Sequence, residues 1–196
     1  MSAAFVHLHL HSEYSLADST IRVDRLVKRC VELGQPAVAI TDLDNVFAAV
    51  KFYKAAEAKG IKPIIGADVA LADGNEAATR MTLLCRDRTG YLTLSRLLTR
   101  AWMEGHRTEG VALRPDWLRE DNAGLFALAG RASLAGRLVA GHRHELAEAW
   151  LADWAGVFGD RLHLELVRAR RDGEDAFNAF ALYAAARRGI PVVASN

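Results

Sequence analysis

Three histidines, His7, His9 and His11, stand at every second position near the start of the chain, and Asp18, Asp42 and Asp68 follow them. Histidines two apart on an extended strand share a face at a spacing of about 6–7 Å, near enough for their imidazoles to meet on one metal ion. Asp42 closes the apolar run Ala39-Ile-Thr-Asp42, and Asp68 interrupts another, Pro63-Ile-Ile-Gly-Ala-Asp-Val-Ala70. A carboxylate inside an apolar strand needs a partner to offset its desolvation. Carboxylates brought to the ends of neighbouring strands repel one another unless a cation or a basic side chain lies between them. The chemistry such a group supports is divalent-metal binding and, with a hydroxide nucleophile generated at neutral pH, hydrolysis. Simpler roles stand beside it: a strand histidine donating to a backbone carbonyl, Asp42 as a loop residue, and Asp44 as a loop residue or helix cap.

Other catalytic patterns are absent. There is no G-x-S-x-G elbow, no G-x-x-x-x-G-K-[ST] phosphate loop and no G-x-G-x-x-G after the first strand, which removes the simplest hydrolase, nucleotidase and dehydrogenase readings. Cys30 falls on the apolar face of a helix and reads as core packing. Arg168, Arg170 and Arg171 read as solvated loop arginines or as a contact for phosphate.

The elements that must position these residues follow a βα rhythm. Phe5 to His11 reads as a strand, and Arg22 to Leu33 as a helix with Val23, Leu26, Val27, Cys30 and Val31 on its apolar face before Gly34 stops it. Pro36 to Thr41 is a second strand; Asp44 or Asn45 caps a helix from Val46 to Lys59, which Gly60 ends. Ile61 to Leu71 is a third strand, Ala72 to Thr79 a surface loop, and Met81 to Cys85 a fourth strand. Leu92, Leu94, Leu97, Leu98 and Trp102 then line a helix, with Gly105 to Gly110 a loop. Strands at Leu125 to Ala129, Leu162 to Val167 and Pro191 to Ala194 enclose helices around Glu145 to Val157 and Asp175 to Arg188. Strands without polar alternation, joined by helices, predict parallel strands covered on both sides, in an open sheet or a barrel.

With 196 residues, 51% of them hydrophobic, the chain is predicted to form one domain around one core. The 25 basic and 24 acidic residues leave a formal charge of +1, without the overall electrostatic footprint of a DNA-binding surface. Cys30 and Cys85 stand far apart in apolar surroundings, as reduced core cysteines do. Met1 to Ser12 has no basic region followed by a long apolar stretch, and no apolar run reaches the length of a membrane span. The expected location is the cytoplasm.

Three blocks carry a resemblance. His7-Leu-His-Leu-His-Ser-Glu-Tyr-Ser-Leu-Ala-Asp18, then Ala39-Ile-Thr-Asp-Leu-Asp-Asn45 and Lys62-Pro-Ile-Ile-Gly-Ala-Asp68, are similar in order and spacing to the opening of the PHP (polymerase and histidinol phosphatase) domain in alpha subunits of bacterial DNA polymerase III. Val50-Lys-Phe-Tyr53, Thr82 to Tyr91 and Arg188 to Asn196 extend the likeness over essentially the whole chain. The resemblance implies an α/β fold, a distorted (β/α)7 TIM-like barrel, with the last barrel elements and an Asp-x-His ligand pair expected beyond Asn196. In active members it implies a cluster of up to three divalent metals that cleaves phosphoesters.

Carried over residue by residue, His9 and His11 stand at the His-x-His pair, Asp18 at a further ligand, and Asp68 where an acidic residue, usually Glu, ligates. Leu43 stands where a full site has His after the Thr-Asp of the second strand. Arg80 and Arg131 stand at two further ligand positions, where their guanidinium groups are expected to replace metal by salt bridges to the carboxylates, with Asp42 nearby. The implied function is therefore a scaffold in a replicative polymerase. It docks the proofreading exonuclease subunit and the rest of the polymerase chain, keeps a degenerate site for zinc, manganese or magnesium or for no metal, and leaves DNA mainly to other domains. The alternative is an active metal-dependent phosphoesterase, a 3′–5′ exonuclease or a small-molecule phosphatase. An unrelated amidohydrolase needs a carboxylated lysine or a later His pair, and neither is evident.

Overall fold

Two βα units open the structure, a computed structural model that describes residues 5–74, 76–108 and 110–195. Residues 1–4, 75, 109 and 196, which belong to the amino-terminal reading, two predicted loops and the last block of the family likeness, lie outside the described residues. Helix α1 (Val23–Glu32) buries Val23, Leu26, Val27 and Cys30 against β1 (Ala37–Leu43) and α2 (Ala49–Glu57). Gly34 and Gly60, both at positive φ, take the left-handed step that closes α1 and α2. Strand β2 (Lys62–Leu71) then pairs with β1 in parallel.

β3 (Thr79–Cys85) departs from the predicted all-parallel arrangement. It runs antiparallel to β2 and to β6 (Leu125–Ala129). The cause is the short link after Leu71: a parallel return needs a crossover of about a dozen residues or more, and the stretch before Thr79 is long enough only to turn the chain back. Between them lie α3 (Arg88–Glu104), a short ribbon of β4 (His106–Arg107) and β5 (Gly110–Val111) within the predicted loop, and α4 (Pro115–Glu120). Beyond β6, α5 (Leu134–Ala140) and α6 (His144–Phe158) lead to β7 (Leu162–Val167), and α7 (Glu174–Arg188) leads to β8 (Val192–Ser195). α4 and α5 are too short to show a long apolar period, so the sequence pattern does not reveal them.

The stretch from Phe5 to His11 is not a regular strand. Ala39 N donates to His7 O, but Thr41 N donates to Leu10 O, so three residues on one side answer two on the other. The extra residue breaks the ladder and the shared face of the three histidines with it. His7 turns aside and packs edge-on against Phe5, while His9 and His11 stay together.

The sheet runs in the order β1-β2-β3-β6-β7-β8 and curls into part of a TIM-like barrel. A flat sheet would hold β1 and β7 about 19 Å apart, four strand spacings. Yet His9, beside β1, touches Glu165 of β7 at 2.8 Å. Leu8, Ala39, Ile64, Leu84, Phe126, Leu128 and Val193, drawn from the amino-terminal segment and five strands, fill the concave interior beneath that contact. The helices cover the outside, where Met81, Leu83, Leu94, Trp154, Phe158 and Phe177 anchor the largest cluster.

α3 begins at Asp87, whose Oδ1 accepts the Gly90 N–H at 3.0 Å. Asp87→Ala should lower stability by about 1 kcal/mol, a fall in melting temperature of about 2–4 °C for a domain of this size, measurable by calorimetry.

Candidate metal centre

The irregular segment sends His9 and His11, and β2, β3 and β7 send Asp68, Arg80 and Glu165, to the same end of the curled sheet. His9 Nε2, His11 Nε2 and Asp68 Oδ2 form a triangle with sides of 3.3, 3.3 and 3.4 Å. Three ligands on one tetrahedral ion with bonds of about 2.0–2.1 Å stand about 3.3–3.4 Å from one another. The other imidazole nitrogens are held by carboxylates: His9 Nδ1 meets Glu165 Oε1 at 2.8 Å, and His11 Nδ1 meets Asp18 Oδ2 at 2.5 Å. A carboxylate behind each ring fixes its orientation and tautomer, the usual support for a metal-bound histidine. Asp68 Oδ1 is buried without a hydrogen-bond partner among the described residues. The residues thus fit one divalent ion held by His9, His11 and Asp68.

Asp18 stands behind His11 and is half exposed, so the structure gives it an orienting place and not one at the point of convergence. Glu165 occupies the matching place behind His9, and it escaped the sequence reading. Its signal was the one that marked Asp68: a carboxylate inside an apolar strand, Leu162-His-Leu-Glu-Leu-Val167. Ser195 Oγ donates to Glu165 Oε1 at 2.5 Å, and Thr82 Oγ1 lies 3.3 Å from His9 Nδ1. Gly130 makes room for this carboxylate, since a Cβ there would strike Glu165 Oε2.

Arg80 enters the cluster from β3. Its Nε lies 3.0 Å from Asp68 Oδ2, close as an ion pair but without hydrogen-bond alignment, and its Nη2 reaches Asp68 O and, at 3.2 Å, Asp44 Oδ2. Asp44 is therefore a partner of Arg80 and of the Ala70 N–H, and it does not cap α2, which starts later at Ala49. Asn45 Oδ1 instead accepts the Phe47 N–H in the turn before that helix.

Asp42 and Arg131 lie elsewhere. The β1–β2 register sets Leu43, not Asp42, opposite Asp68, so alternation turns Asp42 to the other face. There the buried Asp42 accepts from Ser12 N–H, Ser12 Oγ and Ser15 Oγ, and no cation pairs with it among the described residues. It anchors the loop that carries Asp18. Arg131 is exposed, donates only to Asp172 O among the described residues, and makes none of the expected salt bridges to a site carboxylate.

Burial opposes the charged form of His9, but the bonds and charges of Asp68 and Glu165 outweigh it and raise the pKa to about 10. His11 is raised in the same way by Asp68 and Asp18, against burial. Burial would raise Asp68, yet the two histidines and Arg80 hold it well below the carboxylate range. A metal ion bound there would displace ring protons from the cluster, so metal binding should release protons. Without metal, the His9 pairing contributes stability that is complete below about pH 6.5 and is lost as the pH rises through about 10. In chelator-treated protein, the gap in urea midpoint between wild type and His9→Gln should therefore narrow between about pH 6 and about pH 10. A constant gap would mean that His9 is neutral in the fold.

A model of the PHP domain family matches residues 7–169. The chain belongs to the PHP domain family. Over all of its length it is 58% identical to DNA polymerase III subunit alpha of Xylella fastidiosa strain Temecula1 and 40% identical to that of Pseudomonas aeruginosa. The Escherichia coli K12 subunit is 40% identical over 98% of the chain. The chain spans 17–18% of the length of these relatives. Among solved structures, this PHP domain is similar to a protein described as a metal-dependent phosphoesterase from Bifidobacterium adolescentis, with a TM-score of 0.69 and 18% identity over 98% of this chain and 87% of the other. An amidohydrolase from Chromobacterium violaceum aligns over the same shares with a TM-score of 0.64 and 17% identity. At such identities both likenesses bear on the fold alone. Among the described residues, no helix of this PHP domain is long and apolar enough to cross a membrane.

Proposed function

We propose that this PHP domain is a scaffold within a replicative polymerase alpha subunit, that it docks the proofreading exonuclease subunit, and that its metal centre is reduced to a single position. The observation that carries the reading is Arg80, whose guanidinium pairs with Asp68 and Asp44 and so occupies carboxylates that further ions would need. Leu43, level with Asp68 in the register, offers no ligand atom. In this reading a fixed cation does permanently what a second metal would do: it neutralises carboxylates gathered at the strand ends. DNA synthesis and most DNA contacts belong to other parts of the polymerase, in the cytoplasm.

A second reading, a metal-dependent phosphoesterase acting as a 3′–5′ exonuclease or phosphatase, draws support from the His9–His11–Asp68 triangle. A divalent ion there would supply a Lewis acid for a phosphoryl oxygen and a nucleophile at neutral pH. His9 and His11 would hold it through Nε2, with Glu165 and Asp18 keeping both rings in the required tautomer.

One set of measurements on the full chain separates the two. Elemental analysis should find no more than one zinc, manganese or magnesium per chain. Hydrolysis of bis(p-nitrophenyl) phosphate and of a mismatched primer end should not exceed that of His9→Ala, and the exonuclease subunit should co-elute in size-exclusion chromatography. Two or more tightly held ions with turnover that His9→Ala abolishes would overturn the scaffold reading.

A further inference from the structure

We propose that the groove between α2 and the β3–α3 turn, on the outside of the barrel, binds single-stranded nucleic acid, with bases stacked on Tyr53 and Tyr91 and phosphates held by Lys54, Arg86 and Arg88. The groove has a volume of about 480 Å³ and a floor of Pro63 and Ile65, and it shares no residue with the metal centre. Its two tyrosines, Tyr53 and Tyr91, are 49% and 39% exposed.

The charge at its rim is mostly positive. Lys54, Arg86 and Arg88 are exposed and form no ion pair among the described residues, whereas Lys51, one turn before Lys54, is taken up by Glu13. One exposed carboxylate, Asp87, lines the groove with the three cations, and Glu57 stands near it. Asp87 spends Oδ1 on the Gly90 N–H, and Glu57 lies one turn along α2 from Tyr53. A formal charge of +1 for the whole chain therefore conceals a local excess of cations around aromatic rings.

Cations beside exposed aromatic faces are the elements of a single-strand platform. Arginine and lysine follow the phosphates, and stacking on tyrosine tolerates any base because every base has a π-face. A small nucleotide fits less well, since small-ligand sites bury most of the ligand and this groove leaves both rings open. An acidic peptide would satisfy the cations but would leave the rings without a regular stacking partner. In the reading proposed above, on which this inference rests, the domain works within a DNA polymerase, where single-stranded DNA is the nucleic acid at hand.

The test is the fluorescence anisotropy of a labelled oligothymidylate about 12 nucleotides long, titrated with the full chain at several salt concentrations. Wild type should bind with a log–log salt slope of about −2, as three phosphate contacts on a single strand predict. The triple variant Lys54→Ala, Arg86→Ala, Arg88→Ala should lose at least about tenfold in affinity and flatten that slope. Tyr53→Leu with Tyr91→Leu should lose about tenfold or more while leaving the slope unchanged. All five side chains are exposed, and circular dichroism checks that the variants keep the fold. Changing Arg168, Arg170 and Arg171 to alanine, a second exposed basic cluster, should leave binding unaltered. The proposal is overturned if wild type does not bind, if the groove variants bind as wild type does, or if the Arg168 triple loses as much. It is equally overturned if poly-glutamate of matching charge displaces the labelled strand as well as unlabelled oligothymidylate does.

Discussion

Arg80→Met will destabilise the metal-free protein by about 1–3 kcal/mol, because it removes one of three positive partners of the buried Asp68 carboxylate and the cation paired with Asp44. Asp68 is 4% exposed, and three groups converge on its Oδ2: Arg80, His9 and His11. Methionine fills much of the arginine stem's volume, so the loss reports charge more than packing. Urea denaturation at about pH 8 with chelator present measures it. Added zinc should restore more stability to Arg80→Met than to wild type, since an ion that binds only the folded state stabilises by mass action and meets no competing guanidinium. Equal stability of the two proteins without metal would remove the countercharge role and, with it, the main support for a reduced metal centre.

Asp42→Ala should cost about 2–4 kcal/mol, although Asp42 touches no candidate ligand. Its carboxylate accepts the Ser12 N–H at 2.6 Å and the hydroxyls of Ser12 and Ser15 at 2.8 and 2.7 Å, all in a buried setting. Removing the acceptor strands three donors that water reaches poorly. The same loop carries Asp18, which holds His11 Nδ1, so zinc affinity should fall by about tenfold, the usual cost of losing the support behind a ligand. A metal titration alongside the denaturation curve checks both effects. Asp42→Ala with intact stability would show that the loop is held by other contacts, such as the Glu13 N–H to Ile21 O bond.

The two aspartates show what is legible in sequence and what is not. Asp42 and Asp68 each adjoin or interrupt an apolar strand, and by spacing alone each is a plausible ligand. Side chains on a strand alternate, so which of them faces the concave side depends on register, and register is set between strands. The pairing of Leu43 with Asp68 decided it. Glu165 was missed for a related reason: 156 residues separate it from His9, and only the curl of the sheet makes them neighbours. Arg131 shows the reverse error. The family likeness puts it at the site, but its side chain is exposed and donates to Asp172 O instead.

Local chemistry in the chain by itself determined the alternation of strands and helices, the glycines that end α1 and α2, the His9–His11 pair, the carboxylate at Asp68 and the family. These rest on periodicity, turn residues and short-range spacing, which act between neighbours in sequence. Only the tertiary structure decided that β3 runs antiparallel, that His7 leaves the cluster and that Asp42 faces away. It alone brought Glu165 to His9, and it set Arg80, which the family likeness already puts at the site, on Asp68 and Asp44. Each of those depends on how distant strands pair and curl, and the free energy of such contacts is set by burial and charge between residues far apart in the chain.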